Sequence, residues 1–259
     1  GDQDLVVGFF GGVLIASNEE GERFQLRTVL ETSEDVMSLS AADYDKDGDL
    51  DIYVPAYYYS PNEVDSNSRA GNMPGATGNL VFHDANTGAG NSLLRNEIID
   101  DDWAFEDVTI ESGLSANNSR YSYAAAWEDY DNDGDQDLYV ANDFGRDNLY
   151  QNSGGHFKDV AEDLGAEDAA AGMGVTWGDF NRDGWMDAYI SNMWSSAGNR
   201  ITRQSQFKTN APPELKKRLQ RLARGNTLLA NQQGKSFRNV SAEAEVEVGR
   251  WAWSSKFVD

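Results

Sequence analysis

The chain has 259 residues, with 44 Asp or Glu against 21 Lys or Arg and a formal charge of −23. That balance excludes nucleic acid as a partner, because phosphate binding needs a basic surface. The longest weakly polar run, residues 5–16, holds three glycines and falls short of the ~18 residues that a membrane-spanning helix needs, so no membrane insertion is expected. With 39% hydrophobic and 11% aromatic residues the chain can still bury a core. It has no cysteine, which removes disulfides, thiolate nucleophiles and thiolate metal sites, and its two histidines, His83 and His156, leave little for imidazole chemistry.

In chain order, the first feature is Gly1-Asp2-Gln3-Asp4, which matches the last four positions of a nonapeptide that recurs in full further on. Met37, Leu39 and Ala41 then alternate with Ser38, Ser40 and Ala42, the period of a strand. The first full nonapeptide follows, Asp43-Tyr-Asp-Lys-Asp-Gly-Asp-Leu-Asp51, with Ile52 and Val54 facing one way after it and Tyr53 the other. An insertion over residues 55–90 is rich in Gly, Asn, Pro and Tyr. It opens with Tyr57, Tyr58 and Tyr59, which are candidate partner contacts because tyrosines on a loop suit that role. A second signature closes the unit: Asn91 to Asn96, then Phe105-Glu-Asp-Val-Thr109.

The next unit repeats this order with Asp129-Tyr-Asp-Asn-Asp-Gly-Asp-Gln-Asp137, the strand residues Leu138, Tyr139 and Val140, Asn148-Leu-Tyr-Gln-Asn152 and Phe157-Lys-Asp-Val160. A third begins with alternating Met173, Val175 and Trp177 and continues as Asp179-Phe-Asn-Arg-Asp-Gly-Trp-Met-Asp187 and Ala188, Tyr189 and Ile190. Its insertion, residues 193–225, holds a predicted helix with Pro212 and Pro213 at its start, Gly225 at its end and Leu215, Leu219 and Leu222 at helical spacing. The segment is basic, which points to contact with an acidic surface of the same chain or of another copy. Asn226 to Asn231 and Phe237-Arg-Asn-Val240 close the unit, and Phe257-Val258-Asp259 matches the approach to one more nonapeptide.

The first aspartates, at 43, 129, 179 and 259, lie 86, 50 and 80 residues apart, so a unit of about fifty residues is enlarged twice by insertion. About four short strands per unit is the make-up of a β-propeller, in which each blade hides its faces against its neighbours. The expected fold is therefore all-β: one propeller segment over residues 1–259 with about four blades' worth of sequence and one short inserted helix. The blades fall at about 1–30 (partial), 36–109, 121–160, 172–240 and 249–259 (partial). Trp127, Trp177 and Trp253, ahead of the aspartates that open successive loops, are expected between blades.

Carboxylates at alternate positions around a glycine repel one another unless a hard cation holds them. Ca²⁺ takes six to eight oxygens, so side chains at positions 1, 3, 5 and 9 and the backbone carbonyl at position 7 can surround it, with the position 6 glycine making the bend. The three complete sites would be Asp43, Asp45, Asp47, Asp49 and Asp51; Asp129, Asp131, Asp133, Asp135 and Asp137; and Asp179, Asn181, Asp183, Trp185 and Asp187. Trp185 fits because position 7 lends only its carbonyl. Asp2, Asp4 and Asp259 belong to partial loops. An EF-hand is excluded because Val54, Val140 and Ile190 stand where its twelfth-position Glu is required, and the flanks alternate as strands.

The nonapeptides, the Asn-Leu and Phe-x-Asp-Val signatures and the ending Trp251-Ala-Trp-Ser-Ser-Lys-Phe-Val-Asp259 together resemble FG-GAP/VCBS repeat proteins. Within that group the chain is most similar to the ASPIC/UnbV-type cartilage acidic protein family, through the segment Ser-Asn-Met-Trp-Ser-Ser-Ala-Gly-Asn-Arg at residues 191–200. The resemblance implies an integrin-α-like propeller, usually of seven blades, with Ca²⁺ in hairpin loops, in secreted or periplasmic proteins.

The sequence holds no Gly-x-Ser-x-Gly elbow, no His-Glu-x-x-His zinc helix and no Gly-x-Gly-x-x-Gly loop, so it offers no catalytic residue and the chain is not expected to be an enzyme. The expected function is a calcium-binding adhesion, interaction or assembly module, extracellular, at the cell surface or periplasmic, with a protein or glycan partner or other copies of itself. The rival expectations are an enzyme or enzyme subunit cleaving polysaccharide or phosphoester, and a carbohydrate-binding module.

Overall fold

The computed structural model describes residues 3–57, 85–99 and 102–258. Its elements in chain order are β1 (Leu5–Glu19), β2 (Arg23–Asp35), β3 (Ser40–Ala42), β4 (Asp51–Val54), β5 (Ser92–Asn96), β6 (Phe105–Asp107), β7 (Ser122–Glu128), β8 (Asp137–Asn142), β9 (Asn148–Ser153), β10 (His156–Asp159), α1 (Ala161–Leu164), β11 (Gly172–Gly178), β12 (Asp187–Asn192), α2 (Ser196–Thr202), α3 (Pro213–Leu222), β13 (Thr227–Asn231) and β14 (Phe237–Asn239). They form four antiparallel sheets: β1 with β2, then three four-stranded sheets in which each strand pairs with the next in sequence.

Alternation along the second strand of each sheet builds the stack. Ile52 and Val54 on β4 pack with Val13 and Ile15 of the first sheet. Tyr53 turns the other way, into a cluster with Leu138, Val140 and Tyr150 of the next sheet. Tyr139 on β8 repeats this against Ala188, Ile190 and Leu229 of the last sheet. Each four-stranded sheet thus shares an apolar layer with the sheet before it, and each fully buried Leu, Ile or Val in those layers is worth roughly 1.5–3 kcal/mol.

The aromatic ahead of each loop falls in the same layers. Trp127 meets Tyr53 edge-on at 6.2 Å and Trp177 meets Tyr139 at 6.0 Å. The equivalent contact on Tyr189 is made by Phe257, at 6.3 Å, and not by Trp253 as expected. Phe257, like the two tryptophans, stands two residues ahead of an aspartate; Trp253 stands six ahead, is 52% exposed and touches the Tyr123 ring.

The first sheet has an unexpected shape. Asn18 N donates to Asp4 Oδ1 at 2.8 Å, across fourteen residues that would span about 46 Å if straight. β1 therefore doubles back, and the bend falls at Gly11, whose φ of 95° suits glycine, and Gly12, where a Cβ would sit 2.3 Å from the Leu30 carbonyl oxygen.

The insertion at 193–225 holds α3 as expected, with Pro213 at its first turn, and also α2, which periodicity does not signal. α2 is capped by Ser195, whose hydroxyl accepts from Gly198 N at 3.0 Å. Leu215, Leu219 and Leu222 are half-buried. The basic charge finds an acidic partner within the chain: Arg221 grips Asp168 through Nε at 2.9 Å and Nη2 at 2.8 Å, and Arg224 pairs with Glu247.

Candidate metal centre

All three nonapeptides fold into one hairpin geometry. Position 4 is left-handed in each, at Lys46, Asn132 and Arg182 (φ 65°, 58° and 61°), and the position 6 glycines follow at φ 102°, 91° and 87°. Three non-glycine residues with positive φ in a row of equivalents need something to hold them there. The position 1 carboxylate does so: Asp43, Asp129 and Asp179 accept the amide of Gly48, Gly134 and Gly184 at 3.2, 2.9 and 2.9 Å.

Position 9 anchors the loop from the other side. Asp51, Asp137 and Asp187 have no exposed surface. Each accepts the amide of position 2, from Tyr44, Tyr130 and Phe180 at 3.3, 3.3 and 3.1 Å. Each also accepts the amide at the end of the sheet's third strand, from Asn96, Asn152 and Asn231 at 2.9, 2.7 and 2.8 Å. Burial pushes these carboxyls up, Asp51 to about 6 and Asp137 to about 8, with neighbouring loop aspartates adding to it; Asp187 is raised for the same reasons.

In the first two loops the carboxylates of positions 1, 3 and 9 converge. Ligand oxygens of Asp43, Asp45 and Asp51 lie within 4.8 Å of one another, as do those of Asp129, Asp131 and Asp137. Within these sets Asp43 Oδ1, Asp45 Oδ1 and Asp131 Oδ1 are buried and meet no donor. A buried carboxylate oxygen without a partner is costly, and a cation at the shared point removes that cost. The residues present therefore fit a metal ion, and both clusters are able to hold one.

The remaining candidates are placed differently. Asp47 and Asp133, at position 5, stand outside those sets and accept the position 7 amides of Asp49 and Asp135 at 3.0 and 2.8 Å. The side chain of Asp135 takes an ion pair from Lys46 of the first loop at 2.5 Å and the Gly154 amide at 2.9 Å, and both hold its carboxyl below the usual range. In the third loop Asn181 replaces a carboxylate. Its Nδ2 donates to Asp183 Oδ2 at 2.9 Å, its Oδ1 accepts from Asp183 N at 3.0 Å, and Asp183 Oδ1 accepts from Trp185 N at 3.0 Å.

Asp4 behaves as a true position 9: it accepts from Asn18 N at 2.8 Å, while Asn18 Nδ2 reaches the Gln3 carbonyl at 3.2 Å. Asp2 and Asp259 lie outside the described residues, as do Tyr58, Tyr59 and His83. Tyr57 corrects the expectation of an exposed contact. It is buried, donates to Asp143 and packs edge-on against Tyr121 and Tyr123, with its backbone amide held by the Asp35 carbonyl at 3.1 Å.

Sequence reading also misses the work of the third-strand asparagines. Asn152 Nδ2 bridges the Gln136 carbonyl (3.1 Å) and, in the preceding sheet's loop, the Tyr44 carbonyl (2.8 Å). Asn231 does the same with Met186 (3.0 Å) and Tyr130 (2.8 Å). The recurrence of Asn at these positions is visible in the sequence; its target is not.

The profile of the FG-GAP-like repeat matches residues 1–54 and 129–190, two stretches that between them hold all three nonapeptides. Over those two stretches the chain is similar to an FG-GAP-like repeat. No curated protein matches it. Among the described residues no helix is long and apolar enough to cross a membrane.

Proposed function

We propose that the chain is a non-enzymatic, calcium-loaded interaction module that works outside the cytoplasm, with its sheets acting as blades of a propeller of the ASPIC/UnbV type. The observation that carries the metal reading is the set of buried, unpartnered oxygens of Asp43, Asp45 and Asp131. Calcium suits them best. The donors are all oxygen, the loops can add backbone carbonyls of Asp49, Asp135 and Trp185, and the flexible, many-oxygen shell is what Ca²⁺ accepts and Mg²⁺ does not. In a third site Asp179, Asn181, Asp183 and Asp187 would serve with one carboxylate fewer.

Sites of this kind fit the extracellular affinity class, ~10⁻⁴ to 10⁻³ M, which cytosolic calcium would leave empty. Outside the loops, the buried carboxylates of Asp143, Asp147 and Asp168 are engaged in hydrogen bonds within the fold, in keeping with a binding role and no catalysis. Partner contact, with a protein, a glycan or another copy, is assigned to the insertions, which among the described residues contribute no strand to the sheets.

Calorimetric titration of the chelator-treated chain with calcium and with magnesium tests this. Two or three sites filled by millimolar calcium, with a rise in melting temperature that magnesium does not reproduce, are expected; no heat and no shift would refute it. Loss of partner capture on deletion of residues 60–88, with calcium binding intact, would support the insertion as the contact.

A further inference from the structure

The strand registers place Asn91, Asp147 and Asn226 at one equivalent position, each just ahead of the third strand of its sheet: Ser92 pairs with Val54, Asn148 with Val140 and Thr227 with Ile190. All three do one thing alike. Their Oδ1 atoms accept a backbone amide, from Ala56 at 2.9 Å, Asn142 at 2.8 Å and Asn192 at 2.9 Å. The last two repeats can also be compared at the second side-chain atom, where an amide stands in one and a carboxyl in the other.

In the last repeat Asn226 Nδ2 donates to Tyr189 Oη at 2.8 Å, and Tyr189 gives its own proton to the Val246 carbonyl at 3.0 Å. Tyr139 has the same pair of neighbours, the Ala166 carbonyl at 2.9 Å and Asp147 Oδ2 at 3.1 Å. A carbonyl only accepts and a phenol has one proton. With that proton on Ala166, the contact to Asp147 needs a second proton, and only the carboxyl can bring it. Placing the phenol proton on Asp147 instead would leave two oxygens 2.9 Å apart with no hydrogen between them.

We infer that Asp147 is a neutral carboxylic acid that donates to Tyr139, standing in for the amide of Asn226, so that the junction between the second and third four-stranded sheets stores a proton and weakens when it is lost.

The charges around it agree. Asp147 is fully buried, and its amide donates to the Asp168 carbonyl at 2.8 Å. The Asp168 carboxylate is matched by both arms of Arg221 from α3, by Asn192 Nδ2 at 2.8 Å, by Thr227 Oγ1 and by the Ala170 amide at 3.2 Å, so the Arg221 charge serves Asp168. Of the other cations nearby, Arg146 pairs with Glu167 at 2.7 Å, and Arg120 gives Nη1 to the Arg146 carbonyl at 2.9 Å. Burial first, and then the negative charge of Asp168, hold the Asp147 carboxyl well above its usual range. Ionising it would put a second buried anion beside Asp168, where β8, the 161–171 connection and α3 meet.

The test is Asp147→Asn in the full chain, with calcium held constant. An acid whose folded-state pKa is raised takes up a proton on folding, so wild-type stability falls relative to the variant as pH rises from about 4, by up to tenfold in the unfolding constant per pH unit until the folded pKa is passed. The variant should match wild type near pH 4 and unfold less readily at pH 7. Superimposable pH profiles would overturn the proposal. An infrared difference spectrum of the calcium-loaded proteins at pH 7 should show a protonated carboxylic acid band in wild type that the variant lacks. If the variant does not fold, that band in calcium-loaded wild type decides the matter alone, and its absence would overturn the proposal.

Discussion

The side-chain amide of Asn152 donates at 2.8 Å to the backbone carbonyl of Tyr44, 108 residues earlier and in the loop of the preceding sheet. The same amide holds the Gln136 carbonyl of its own loop, so one side chain clasps two successive metal loops. Asn152→Ala should leave both carbonyls without this donor, at a cost of about 1–3 kcal/mol each where buried. It should also weaken calcium binding at the first loop, although no ligand there is altered. Urea unfolding with and without calcium, alongside titration of the first site, checks both effects.

The position 9 carboxyls set a pH dependence. Without metal, burial raises Asp51 to about 6 and Asp137 to about 8 against about 3.9 in the unfolded chain. The native state then holds more protons than the unfolded one, so the stability of the metal-free chain should fall as pH rises from about 4 through 6 and on towards 8. A cation takes the place of those protons. Calcium binding at pH 6 should therefore release protons, measurable as a buffer-dependent heat, and calcium affinity should drop on acidification from pH 8 to 6.

Lys46 tunes its neighbour. Its ammonium lies 2.5 Å from Asp135 and within the field of Asp133 and Asp129 of the second loop. Lys46→Met should tighten calcium binding at that loop a few-fold in low salt, and the gain should fade at high salt because the charge is exposed. The first loop, which owns the residue, should change less.

On α3, the effect of removing a positive charge will not be uniform. Arg221 pairs with an Asp168 carboxylate that is 2% exposed, so Arg221→Ala strands a buried anion and should cost about 3–5 kcal/mol. Lys217 pairs with Glu214 on the surface, both more than 70% exposed, and Lys217→Ala should stay within about 0.5 kcal/mol. Thermal unfolding of the two variants side by side separates docking of the helix from its bulk charge.

The loops are legible in sequence because their constraint is local. Carboxylates at fixed spacing about Gly48, Gly134 and Gly184 fall within one nonapeptide, and so does strand alternation around Tyr53, Tyr139 and Tyr189. The clasp by Asn152 is long-range: its acceptor is a backbone carbonyl, which any residue supplies, so no side chain at Tyr44 advertises it. Chemical likeness also misleads. Reading Asn91 and Asn148 as equivalents follows the letter Asn, whereas the registers, Ser92 opposite Val54 and Asn148 opposite Val140, make Asn148 the counterpart of Ser92 and put Asp147 in the place of Asn91. Trp253 misleads likewise, since the loop spacing points to Phe257. Tyr57 shows the limit of composition: an aromatic at the mouth of an insertion packs inward when Asp143 and two tyrosine rings await it.

Asp4 accepts the Asn18 amide just as Asp51, Asp137 and Asp187 accept the amides of Asn96, Asn152 and Asn231. The pairing of a loop-ending aspartate with a strand-end asparagine is thus a structural rivet common to all four sheets, on which the ligands at position 3 are mounted. In the third loop Asn181 stands at position 3, and the bond from Asn231 N to Asp187 is kept at 2.8 Å. For protein engineering the two parts separate cleanly: neutralising Asp45 or Asp131 should silence single ion sites, and altering Asp51 or Asp137 should dismantle the sheet.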